Sequence, residues 1–237
     1  MNVRRSLRIA GTALAAAGAL VLVWVVIVWQ WQDPFTALYT HWKQHQLAKS
    51  YEHRFASYHA PRYNRQAALS ARLRTIKREA RRYRLDSHRG QAVGRIVVPR
   101  LHLNMILVNG TDEGSLKKGP GRDLRTYMPG EGQLIYIAGH RTTYLAPFSQ
   151  IQTIRRGDSI TLEMPYGTFL YKAVRHVIVP ADDTAVLRSP RHELLELQAC
   201  NPRFFATERY VVYARLVAVR PRSGPPLSAH LMAAAAS

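Results

Sequence analysis

The chain carries a single cysteine, Cys200, at the end of an alternating apolar run over residues 194–199. Arg209 follows at the start of another such run, 209–219. A thiol at a strand end, with a guanidinium delivered by the next strand, reads as a nucleophile beside a cation that can stabilise an oxyanion. The competing reading is a buried structural cysteine and a surface arginine, since free cysteine is among the most buried residue types. Upstream, residues 134–138 form a short apolar run rich in β-favouring residues, which Gly139 breaks immediately before His140. A thiol becomes a useful nucleophile near neutral pH when a neighbouring imidazole or other cation favours the thiolate. Cys200 and His140 therefore make a plausible pair if the fold brings them together, although the chain holds ten histidines.

The elements that must do this positioning are strands. From Gln91 onward, residues 93–98, 105–108, 134–138, 159–163, 168–179, 194–199 and 209–219 read as β runs separated by Gly, Pro and Asp, with Pro165-Tyr166-Gly167 as a turn. Short helices are expected near 147–154 and 183–187. So many short strands predict an all-β domain, a closed barrel or a sandwich, over 91–221. The Pro-, Ser- and Ala-rich residues 222–237 show no core pattern and predict a disordered tail.

The N-terminal third has another texture. A basic head, 1–8, with Arg4, Arg5 and Arg8, precedes an unbroken apolar run over 9–29. At about 1.5 Å per residue that run spans about 31 Å, matching a hydrocarbon core of about 30 Å, and predicts a transmembrane helix. Trp29 and Trp31 suit the interfacial belt. A cleavable signal peptide fits less well, because the most apolar residues follow Ala15-Ala16-Ala17. Residues 30–90 predict a basic helical stalk or linker, divided by Pro61. In its second helix Leu69, Leu73, Ile76, Ala80 and Tyr83 recur at helical spacing. From His41 to Arg89 thirteen Lys and Arg face three acids. The net charge of +19 invites a nucleic-acid reading. That reading is set aside, because much of the charge follows a membrane span and no nucleic-acid motif accompanies it. A solvated spacer, contact with anionic lipid or acidic wall polymers, and a lid over the active site remain as roles for the stalk. His41 and His45 stand at i, i+4 without a carboxylate or thiol to complete a metal site.

Residues 93–219 resemble the sortases, most closely those of class E from Gram-positive bacteria. The resemblance rests on Gly94-Arg95-Ile96 leading to Pro99, Asn109-Gly110-Thr111, Lys117-Lys118-Gly119-Pro120-Gly121, Ala138-Gly139-His140-Arg141-Thr142-Thr143-Tyr144, Arg156-Gly157-Asp158, and Cys200-Asn201-Pro202-Arg203-Phe204 with Arg209 behind it. It implies an eight-stranded β-barrel with short helices, and His140, Cys200 and Arg209 as catalytic residues. It further implies transfer of a protein from a Leu-Ala-X-Thr-Gly or Leu-Pro-X-Thr-Gly sorting signal, cut between Thr and Gly through a Cys200 thioester, to an amine of a peptidoglycan precursor. The enzyme would be a single-pass type II membrane protein with its catalytic domain outside the cell, needing no cofactor. Val186 and Leu187, in the loop 180–192, and Ala199 are the implied substrate contacts. The chain departs from the family's Thr-Leu-X-Thr-Cys pattern, reading Glu196-Leu197-Gln198-Ala199-Cys200, and residues 122–126 lengthen the link into Met128-Pro129-Gly130.

Two rival readings remain. Gln198-Ala199-Cys200, with a His about sixty residues upstream, touches a caspase signature, but Asn201 and Pro202 break it and the helix–strand alternation of a parallel sheet is missing. The other is a non-catalytic sortase-like barrel that binds sorting peptide or wall polymer without turnover.

Overall fold

The computed structural model describes residues 3–30, 34–60, 67–190 and 192–228. Trp31, Pro61 and residues 229–237 lie outside the described residues, as does the side chain of Trp29. Three long helices come first: α1 (Val3–Gln30), α2 (Pro34–Ser57) and α3 (Leu69–Leu85). In α1 the stretch Val3–Val26, with mean hydropathy 2.3 and none of it buried, is long and apolar enough to cross a membrane.

Nine strands and a short helix follow: β1 (Ala92–Val98), β2 (Leu103–Asn109), α4 (Glu113–Leu116), β3 (Gly121–Arg122), β4 (Leu134–Ala138), β5 (Ser159–Met164), β6 (Gly167–Pro180), β7 (Leu194–Asn201), β8 (Glu208–Pro221) and β9 (Leu227–Ser228). Their order is β6-β5-β1-β2-β3-β4-β7-β8, and β8 pairs back onto β6. That pairing closes an eight-stranded barrel, leaving β9 as an appendix on β8. All seven strands expected from the sequence are present, and 3₁₀ turns occupy Ile151–Thr153 and Thr184–Leu187, where short helices were expected. Alternation fills the interior. In β5 and the first half of β6 every second residue, from Ile160 to Met164 and from Phe169 to Ala173, is buried.

The sequence leaves the extra residues 122–126 unexplained, and the structure accounts for them. Arg122 is 1 % exposed, and its guanidinium donates to Asn109 Oδ1 at 2.6 and 2.9 Å and to the carbonyls of Asp123 and Thr126. Asp123 in turn accepts from Arg125 and Thr111. Arg122, Asp123 and Thr126 are buried and hydrogen-bonded to one another at the end of β3, while Leu124 and Arg125 face solvent.

The stalk is no solvated spacer. Ile76, Ala80 and Tyr83 of α3 are buried in the same core as the barrel residues Val93, Ile135, Tyr166 and Phe169, and the Tyr83 hydroxyl donates to the Val93 carbonyl at 2.9 Å. Tyr51 of α2, 4 % exposed, packs with Ala92 and Ile106. A narrow apolar stripe sufficed because the barrel supplies the rest of the core. Of the expected tail, residues 222–228 are described, and part of them is docked. Leu227 is fully buried and pairs with Val219, and Arg72 of α3 donates to the Pro225 carbonyl at 2.8 Å, fastening the approach to β9.

Candidate active site

β4 and β7 run parallel with Ala138 beside Gln198, and the Gly139 amide donates to the Gln198 carbonyl at 3.0 Å, carrying the register one residue further. His140 therefore emerges beside Cys200. On the other side β7 and β8 are antiparallel, with Cys200 directly opposite Arg209. The three residues singled out in the sequence thus sit at one end of three adjacent strands, which run about 4.8 Å apart, with Cys200 in the middle. Gly139 is required at the turn, because a Cβ there would lie 2.6 Å from the Phe148 ring.

The imidazole is partly buried and its Nε2 has no hydrogen-bond partner. Burial, and then the Lys117 ammonium, hold its pKa below the ordinary histidine value, against a smaller opposing pull from Glu113. Its ring leans on Tyr144, centroid to centroid 5.1 Å. Cys200 is a free, partly exposed thiol. Arg209 donates through Nη1 to the carbonyls of Ala206 (2.7 Å) and Glu208 (2.9 Å). Those bonds fix its fork against the β7–β8 loop.

Arg141 was quoted in the sequence only as a flank of His140, yet it is structurally central. It is 8 % exposed and donates to the Cys200 carbonyl at 3.0 Å, to Asn201 Oδ1 at 2.6 Å and to Gln152 Oε1 at 3.0 Å. Asn201 Nδ2 reaches on to Glu208 at 2.6 Å. One chain of polar contacts therefore ties β4, β7 and β8 together beneath the three side chains.

Alternation along β7 sorts the remaining candidates. Leu195, Leu197 and Ala199 belong to the barrel core, and Glu196, Gln198 and Cys200 take the opposite face. That face carries Tyr136, Ala138, Val211 and Tyr213, packed with Val186, Leu187 and Leu116, an apolar surface leading up to the thiol. Val186 and Leu187, the implied substrate contacts, pack on it. Ala199 does not: it is fully buried on the core side and offers no side chain to a ligand there. Glu196 stands between Tyr136 and Tyr213 in register, 2 % exposed, with Oε2 unpartnered. Burial raises its pKa to about 8, partly countered by Arg175.

The comparisons with known proteins agree with this architecture. The chain is 35% identical over 133 residues to Sortase D of Bacillus subtilis, covering 54% of this chain and 65% of that protein. It is 27% identical over 150 residues to Sortase SrtE1 of Streptomyces coelicolor, covering 56% and 43%. The chain thus spans between two fifths and two thirds of the length of these relatives. Among solved structures, Sortase E1 from Streptomyces coelicolor with a tripeptide in its active site matches with TM-score 0.53 and 26% identity, over 56% of this chain and 93% of that one. A Clostridium perfringens Sortase D5 transpeptidase matches in fold, with TM-score 0.59 and 20% identity over 74% of this chain and 98% of that one. The family model described as Sortase domain matches residues 96–217, just over half of the sequence. The chain belongs to the sortase family.

Proposed function

We propose that the protein is a membrane-tethered cysteine transpeptidase. The observation that carries this reading is the placement of Cys200 between His140 and Arg209 at one end of β4, β7 and β8. In the first step the Cys200 thiol gives its proton to the neutral His140 imidazole as the sulfur attacks the Thr carbonyl of a sorting signal, and the imidazolium so formed passes that proton to the departing amine as the C–N bond to Gly breaks. A thioester remains. An amine of a cell-wall precursor then attacks it, His140 takes up the amine's proton, and the C–S bond breaks as that proton returns to the Cys200 sulfur. Arg209 donates to the oxyanion at each stage, its planar fork held in place by the carbonyls of Ala206 and Glu208. The apolar face around Val186 and Leu187 receives the part of the signal that precedes the Thr.

α1 anchors the chain, with the basic head in the cytoplasm and the barrel outside. On α3, Arg74, Lys77, Arg78 and Arg81 share the exposed face opposite Ile76, Ala80 and Tyr83, lining a hollow of about 410 Å³. That cationic stripe suits anionic lipid headgroups or acidic wall polymer.

The test is cleavage of quenched Leu-Ala-Glu-Thr-Gly and Leu-Pro-Glu-Thr-Gly peptides by the full chain in detergent micelles, with Cys200→Ala as the comparison. Cys200-dependent cleavage between Thr and Gly is expected, and the Ala to Pro ratio reports whether the signal is of the class E kind. A folded protein that binds either peptide and cleaves neither is a non-catalytic barrel.

A further inference from the structure

α2, the next helix in the chain after the apolar α1, lies against the active-site loops, and its first half docks with polar side chains. Thr36, Thr40 and Gln44 stand at i, i+4 and i+8, one face of the helix. Thr36 Oγ1 accepts from the Tyr144 amide at 3.1 Å. Thr40, fully buried, donates to the Lys117 carbonyl at 2.8 Å. Gln44 donates to the Lys118 and Ile106 carbonyls at 2.7 and 3.1 Å, while its Oε1 accepts from the Ile106 amide at 2.7 Å. Every one of these partners is backbone, and two of the segments touched bear on His140. The Tyr144 ring leans on its ring, tilted by 38°, and the Lys117 ammonium acts on it electrostatically. Tyr39 of α2 also meets Tyr144 edge-on at 6.4 Å.

The loop so held is not one that would keep its shape alone. Tyr144, Leu145 and Ala146 have φ of 53°, 62° and 36°, three consecutive side-chain-bearing residues in the left-handed region. Such a run persists where surrounding contacts over-determine it. Within the loop, the Ala146 amide donates to the Thr143 carbonyl and the Phe148 amide to the His140 carbonyl, so the same turn sets the direction in which His140 leaves β4.

We propose that α2 braces this loop and that Thr36 is a positioning residue for transpeptidation, acting through Tyr144 on His140. The helix that follows the membrane anchor is thereby part of the catalytic machinery. The role in turnover rests on the transpeptidase reading, while the effect on the imidazole does not.

The experiment uses the full chain in detergent micelles with Thr36→Val, which keeps the shape and removes the acceptor, Thr36→Ser, which restores it, and Tyr39→Ala. For each, kcat and KM on the cleaved peptide are measured, together with the melting temperature and the His140 titration by NMR. Thr36→Val and Tyr39→Ala are expected to lower kcat at least tenfold with KM within twofold. The His140 midpoint should move upward toward the ordinary histidine value as the ring loses the cover of Tyr144, with Glu113 and Lys117 unchanged beside it. Thr36→Ser should recover most of both. A Thr36→Val protein with wild-type kcat and an unmoved midpoint overturns the proposal, as does a loss of kcat that only follows a fall in melting temperature. If the wild type cleaves no peptide, the transpeptidase reading fails, and the titration alone still decides whether α2 positions the imidazole.

Discussion

The Arg141 guanidinium donates to the carbonyl of Cys200 at 3.0 Å, so the residue next to the imidazole grips the residue that bears the thiol. The bond spans two strands whose ladder ends just before it, and together with the bond to Asn201 it keeps the ends of β4 and β7 at a fixed separation.

Removing that grip should therefore damage turnover more than binding. Arg141→Ala is expected to lower kcat/KM for the cleaved peptide by about 100-fold or more, the scale on which a misplacement of about 1 Å costs rate. Arg141→Lys should fall between, because an ammonium cannot reproduce a fork that reaches Cys200, Asn201 and Gln152 together. Peptide kinetics on the two variants decide it, and activity within threefold of wild type for Arg141→Ala would discard the role.

His140 offers a second check. Its pKa is held down first by burial and then by Lys117, so the imidazole should be neutral at pH 7 with a titration midpoint below that of an exposed histidine. A depressed pKa means that the unfolded chain binds the proton more readily. This group's contribution to stability is therefore present above the ordinary histidine range and is lost as pH falls toward the folded midpoint. Lys117→Gln should raise the midpoint. An unchanged NMR titration would show that the ammonium does not reach the ring.

Glu196 has the opposite sign. Its folded pKa, about 8, lies above that of an exposed carboxyl, so the native state holds the proton and stability declines as pH rises from the ordinary carboxyl range through about 8. Glu196→Gln cannot ionise. Its melting temperature should match wild type near pH 4 and exceed it by more than about 4 °C at pH 9, since each kcal/mol moves the midpoint by about 2–4 °C in a chain of this size. Parallel melting curves across that range would mean that the carboxyl is already ionised and solvated.

The packing of α3 makes a prediction about domain limits. Tyr83 is 2 % exposed, bonds the Val93 carbonyl and meets Tyr166 at 5.5 Å. Tyr83→Ala should cost about 3–5 kcal/mol, the range for deleting a buried aromatic. A chain begun at residue 91 loses Ile76, Ala80 and Tyr83 together and should bind ANS and melt without a cooperative transition, whereas one begun at residue 34 should fold. A sharp calorimetric transition from the shorter chain would place α3 outside the cooperative unit.

What could be read from the sequence followed the length of each pattern. β5, β6, β7 and β8 alternate over enough residues for a period of two to show, whereas β3 and β9, two residues each, are too short to have a period. The docking of the first half of α2 was hidden for a different reason: beside Tyr39 it rests on Thr36, Thr40 and Gln44, polar side chains bonded to backbone, and a search for apolar stripes passes over them. Burial of Arg122 and Arg141 is equally silent, because an arginine's default place is the surface. Ala199 is the instructive case. The same alternation that identified β7 requires Ala199 and Cys200 to face opposite sides, so a partly exposed thiol already implied a core alanine.

The closing of the barrel also sets an order in time. β8 is the strand that pairs with both β6 and β7, and it brings Arg209 to the thiol. Synthesised from the N terminus, the chain presents His140 first, then Cys200, and completes the trio only when its last well-paired strand has emerged and docked. A nascent polypeptide therefore carries the thiol without its assembled neighbours. The transpeptidase chemistry proposed for this protein has its full trio only once β8 has docked, a safeguard that comes from strand order alone.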